Sequence, residues 1–133
     1  HAKDIRRDSL FYDSALEGVA QEAPDAPLFA FAYLAANHFP WETRFRPDLM
    51  PSWHDPGIEP AVDEYLRRQA MSETDYRAFI AELKKQFPAK PFLIVRYGDH
   101  QPEFSPHILD PGLDEAGVGK KLMSYDPRYY ATY

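Results

Sequence analysis

The chain has no cysteine. That excludes disulfides, thiolate metal ligands and cysteine nucleophiles together, and it leaves the redox compartment unreadable. No run of about eighteen apolar residues occurs, so no stretch reads as a transmembrane helix, and none has the pattern of a signal peptide. A Gly-x-Ser-x-Gly elbow, a glycine-rich phosphate loop and a His-Glu-x-x-His helix are all missing. No serine or threonine stands in a strong nucleophile context. Basic residues are in the minority, 15 against 21 acidic, for a net charge of −6. Nucleic acid is therefore excluded as the main partner, because phosphate-backbone binding needs a basic face. One small anion held through a metal is compatible with that charge.

What is present fits one domain with a modest core: 133 residues, 44% hydrophobic and 27% charged. Thirteen prolines and 15% aromatics are both high. The aromatics are spread among the prolines and need burial, which points to ordered loops. The chain opens on His1 and closes on the aromatic run Arg128–Tyr133. We read it as a trimmed piece of a longer protein, a single partial domain over residues 1–133. A small protein whose initiator has been removed is the other reading.

The pattern along the chain predicts helix, strand, loop, two helices and strand. Asp8 or Ser9 can cap a first helix with Leu10, Phe11, Ala15, Leu16 and Val19 as its apolar positions. The segment Ala23-Pro24-Asp25-Ala26-Pro27 breaks it. Residues 28–36 form a continuous apolar run, read as a buried strand. Residues 40–60 carry five prolines and two tryptophans, a long loop of the kind that is functional or a packed lid. Pro60 opens a helix with Val62, Tyr65, Leu66 and Gln69 on one face. Ser72-Glu-Thr-Asp75 resembles a capping box opening another, with Tyr76, Phe79, Ile80, Leu83 and Phe87 at helical spacing. The apolar run Phe92–Tyr97 follows as a second strand. A strand–helix–strand order makes the two strands parallel, with a right-handed crossover. The fold predicted is thus α/β, a partial parallel sheet flanked by helices. Beyond Pro102 the sequence reads as mostly irregular, with a short helix near Glu115–Met123.

Parallel strands deliver their carboxyl ends to one edge, where ligands bind in open α/β sheets. The first run ends at Asn37-His38 and the second at Asp99-His100. A carboxylate and a neutral imidazole suit a borderline divalent cation such as zinc or manganese. Each residue also has a plainer reading. An aspartate after a glycine commonly makes a turn. His38 can be a hydrogen-bonded histidine under Trp41, and His107 is near enough in sequence to join the site. His54 reads as a solvated or packing residue. Arg44 and Arg46 can hold an anion, although loop arginines usually pair with surface carboxylates. Trp41 and Trp53 read as loop core.

The motifs Phe31-x-Tyr33-Leu34, then Asn37-His38-Phe39-Pro40-Trp41, then a helix, then Phe92-Leu-Ile-Val-x-Tyr-Gly98-Asp99-His100, together resemble the sulfatase-like domain of the alkaline phosphatase superfamily. The nearest branch is the lipoteichoic acid synthase and phosphoglycerol or phosphoethanolamine transferase group. Phe11-Tyr12-Asp13-Ser14-Ala15-Leu16 resembles the same group, and the likeness covers roughly residues 8–104. It implies that Asp99 and His100 bind a catalytic divalent metal (manganese, zinc, magnesium or calcium). It implies that His38 contacts the transferred phosphate or sulfate or assists the leaving group, with Asn37 beside it in substrate binding. The nucleophile it implies, a threonine, serine or formylglycine next to an acidic metal ligand, has no counterpart in this sequence. It implies further an extracytoplasmic domain of a membrane-anchored bacterial protein whose anchor lies upstream of these residues. The substrates implied are phosphate or sulfate esters, lipid- or glycan-linked. On this reading the chain alone binds metal weakly and does not turn over.

Two other readings compete. One is a complete, non-catalytic α/β binding module whose histidines and aspartates are structural. The other is an unrelated hydrolase with a full metal site made of His38, Asp99, His100 and His107.

Overall fold

The computed structural model describes residues 6–22 and 26–130, and the chain divides into two compact units, residues 1–92 and 93–133. Of the proposed break Ala23-Pro24-Asp25-Ala26-Pro27, residues 23–25 lie outside the described residues, as do the opening His1 and the closing Ala131-Thr132-Tyr133. Among the described residues every regular element is helical, and no strand forms. The predicted α/β parallel sheet is therefore wrong. Residues 27–35 and 91–98 carry no regular secondary structure: a strand exists only through a ladder of hydrogen bonds to a neighbour, and neither segment has one among the described residues. A continuous apolar run shows no period that would reveal which partner, if any, it has.

In the first unit, α1 spans Asp8–Gln21 and α2 spans Pro60–Gln86. Pro60 suits the first helical position, where its missing N–H costs nothing, and the Glu59 carboxylate accepts from the N–H groups of Ala61 and Val62. The two helices predicted over 60–87 are one. Ser72 does not cap a new helix; it is buried mid-helix, where its hydroxyl donates to the Asp8 carboxylate. α1 begins without a capping side chain of its own. Asp75 on α2 substitutes, accepting from the Ser9 N–H at 3.2 Å and holding the Arg7 guanidinium through both carboxylate oxygens. Below this polar corner the helices meet through Leu16, Val19 and Tyr12, whose ring stacks on Phe79 at 4.6 Å between centroids. Leu10, assigned to the apolar face, is half exposed instead.

The second unit holds α3 (Ser105–Leu109), α4 (Glu115–Met123) and a 3₁₀ turn at Pro127–Tyr129. The predicted helix near 115–123 is α4; α3 and the 3₁₀ turn were not foreseen. Asp114 caps α4 by accepting from the Gly117 N–H at 2.8 Å. A Cβ at Gly117 would stand 2.6 Å from the Leu113 side chain, so the glycine permits that close approach. Asp110 closes the unit, accepting from the buried Tyr129 hydroxyl and both terminal nitrogens of Arg128. No helix of the described residues is long and apolar enough to cross a membrane.

Candidate functional site

The loop joining the apolar run to α2, residues 37–59, carries His38 and His54 and has almost no regular structure. Its prolines remove donors while every residue keeps a carbonyl, so the loop has more acceptors than N–H groups. Arginine supplies the deficit, because one guanidinium offers five donors in a fixed fork. Arg68 donates to the carbonyls of His38 (2.7 Å), Pro40 (2.9 Å) and Thr43 (2.7 Å). Arg67 donates to the carbonyls of Leu49 (2.8 Å) and Phe45. Arg44, within the loop, donates to those of Met50, Pro51 and Trp53. It therefore holds backbone and not an anion, while Arg46 pairs with Asp48 as a surface arginine does.

Arg67 and Arg68 are almost wholly buried on α2 and both bond to Glu64, one turn back at i−3 and i−4. Glu64 also accepts from the Phe45 N–H at 2.9 Å. Burial alone would raise its pKa. The hydrogen bonds from Arg67 and Arg68 outweigh that and hold the carboxyl below its ordinary value. Asp63 completes the face. It accepts from the Trp53 indole N–H (3.1 Å), the His54 Nδ1 (3.2 Å) and the Asp55 N–H (3.1 Å). Residues 63, 64, 67 and 68 span an arc of about 140° on an α-helix. The Pro-rich loop is laid along that arc.

His38 is half-buried, its Nδ1 2.8 Å from the Phe39 carbonyl oxygen and its ring 4.2 Å from the Phe39 ring. Trp41 is core, edge-on to Tyr65 at 5.9 Å. The amide oxygen of Asn37 is shielded from solvent and has no hydrogen-bond partner among the described residues.

Asp99 and His100 lie in the second unit, at the end of the second apolar run. Both side chains are more than half exposed, with His100 Nε2 3.8 Å from Asp99 Oδ2. Asp99 Oδ1 accepts from the His100 N–H at 3.0 Å, and His100 Nδ1 lies 3.0 Å from the Gln101 carbonyl oxygen. Two ligands of a tetrahedral ion, each about 2 Å from it, stand about 3.4 Å apart, so this pair fits two positions of a coordination shell after a small closure. Engaging Nδ1 on a carbonyl leaves Nε2 as the metal-facing nitrogen. His107 sits exposed on α3. Among the described residues no group of three histidine, aspartate or glutamate side chains is placed to hold an ion.

Sequence reading missed the polar face of α2 and the His54–Asp63 pair. The signal was available: Asp63-Glu64 and Arg67-Arg68 are adjacent acids followed at i+4 by adjacent bases. No protein-family model, no curated protein and no solved structure matches this chain.

Proposed function

We propose that this chain belongs to a metal-dependent, sulfatase-like transferase or hydrolase acting on phosphate or sulfate esters. Asp99 and His100 are its metal ligands, and Asn37 and His38 its substrate-contacting residues. The observation that carries the reading is the Asp99–His100 pair, with two donor atoms 3.8 Å apart and both side chains open to solvent. The motif order around it resembles that enzyme class. A divalent cation there would neutralise charge on the transferred group. His38, with Nδ1 against the Phe39 carbonyl, presents Nε2 to a leaving oxygen. The unsatisfied amide oxygen of Asn37 accepts from a substrate hydroxyl or ammonium, which fits a glycerol or ethanolamine ester. The nucleophile comes from outside these residues. The enzyme is an extracytoplasmic domain tethered to a membrane through other segments, and its substrates are lipid- or glycan-linked.

The test is turnover of p-nitrophenyl phosphate, phosphodiester and sulfate esters by the full-length protein with manganese or zinc. Turnover that is lost on chelation, and reduced at least ~10²-fold by Asp99→Ala or His100→Ala, is expected. An inert full-length protein, or one indifferent to Asp99→Ala, would contradict the reading. Robust turnover by the 133-residue chain alone would contradict the external nucleophile.

A further inference from the structure

Residues 28–34 of the first unit, Leu28-Phe29-Ala30-Phe31-Ala32-Tyr33-Leu34, have no role in that proposal. Leu28, Phe29, Phe31 and Tyr33 are 40%, 88%, 65% and 57% exposed. Among the described residues the stretch has no regular structure and makes no backbone–backbone hydrogen bond. It ends at definite points. Pro27 has no N–H to offer a ladder, and Ala36 is buried, its N–H donating to the Asp8 carboxylate at 3.4 Å. Contiguous exposed apolar surface of this kind marks an interaction site.

The order of the residues identifies the occupant. Side-chain size reads the same in both directions about Phe31: leucine, aromatic, alanine, aromatic, alanine, aromatic, leucine. In a strand, side chains alternate between two faces. Phe29, Phe31 and Tyr33 then share one face, and the leucines and alanines share the other. Laid antiparallel on a second copy with Phe31 opposite Phe31, Phe29 meets Tyr33, Ala30 meets Ala32 and Leu28 meets Leu34. Large groups oppose large and small oppose small, and aromatic groups directly across antiparallel strands are stabilising pairs. Charge agrees with this arrangement. No residue from 26 to 37 is charged, so the paired stretches set no like charges against one another, although each chain carries −6. A charged partner would find no counter-charge there.

We propose that residues 28–34 dock on the same residues of a second copy of this chain, as an antiparallel two-stranded ribbon centred on Phe31. The ladder that the stretch lacks within one chain is supplied by the second copy, and the two-fold pairing is self-complementary. At roughly 200 Å² per aromatic side chain, the three aromatics of each copy offer at most about 800 Å² in total. That is below the roughly 1,200 Å² at which stable complexes begin, so the dimer is weak and reversible. The inference does not depend on the proposed function.

Two measurements on the 133-residue chain test it. Sedimentation velocity shows a monomer–dimer equilibrium across micromolar to millimolar concentration, strengthened by added salt, which screens the like net charges of the two copies. Phe31→Lys sets two ammonium groups against each other at the two-fold and lowers the association constant at least ~10-fold. Its helical circular dichroism is unchanged, because the ring it replaces is mostly exposed. A monomer at every concentration, or an association that Phe31→Lys leaves unaltered, overturns the proposal. Disulfide trapping then tests the register, with no native cysteine to interfere. Residue 30 faces residue 32 of the second copy at about 5 Å between Cα atoms, a span that a disulfide bridges. It stands about 7–8 Å from residue 30 of that copy, which a disulfide does not reach without backbone movement. Oxidising Ala30→Cys mixed with Ala32→Cys therefore yields cross-linked dimer several-fold in excess of either variant alone. Equal yields in all three samples, or no cross-link in any, contradict the pairing.

Discussion

The loop over α2 and the irregular segment 93–97 treat burial in opposite ways. In the first, Asp63, Glu64, Arg67 and Arg68 are buried. In the second, Leu93, Val95 and Tyr97 are 92%, 73% and 71% exposed. Residues 28–33 behave like the second region, with Phe29 at 88%. The difference shows what decides burial in this chain. A charge enters the interior when each of its hydrogen-bonding groups finds a partner, and a Pro-rich loop with surplus carbonyls provides partners for two guanidiniums. Apolar side chains stay exposed when no packed layer covers them, whatever their preference, and among the described residues the two irregular segments lack the ladder that would build one. Such exposed apolar segments are sites for association.

The largest expected effect breaks the first region. Arg67→Ala removes five contacts at once and leaves Glu64 short of a partner, which costs about 3–5 kcal/mol for a buried pair. Chemical denaturation of the first unit measures it, and a loss below about 1 kcal/mol would mean that the charged face is incidental. Next comes acid. Because the Glu64 pKa is depressed in the folded state, the stability it contributes is complete above its ordinary value of 4.5 and is lost as pH falls through the lower folded value. Melting temperatures from pH 7 downward should therefore hold until about 4.5 and then drop, with a shallower drop in Glu64→Gln. An equal drop in that variant would place the acid sensitivity elsewhere.

The second region should respond in another currency. Leu93→Ser with Val95→Ser changes the chain's own stability by no more than about 0.5 kcal/mol per site, but reduces self-association in sedimentation velocity. A cost above about 2 kcal/mol would show these side chains to be buried. Smallest of all is Arg77→Ala, which deletes an exposed i,i+4 pair with Glu73 and should cost only about 0.3–0.5 kcal/mol. A larger cost would blur the contrast between exposed and buried charge.

The comparison also explains what the sequence disclosed. α1, both halves of α2 and α4 were legible because apolar residues at helical spacing and nearby prolines encode them locally. The continuity of α2 through Ser72 was not, since the capping pattern is local and the competing partner, Asp8, lies 64 residues away. The strands failed for the same reason in reverse: 28–36 and 92–97 have strand-like composition, but pairing is a property of two segments. In the candidate site, the exposed Asp99–His100 pair could be read from adjacency. The charged face of α2 was encoded at i+4 spacing, but the His54–Asp63 pair was not, because it joins the helix to a residue nine positions away in an irregular loop.

The most direct test of the metal-ligand assignment is a zinc titration of the chain followed by histidine side-chain NMR. Weak, saturable shifts of His100, abolished by Asp99→Ala and with His107 unmoved, are expected. Shifts confined to His54 or His107, or a His100 indifferent to zinc, would contradict it.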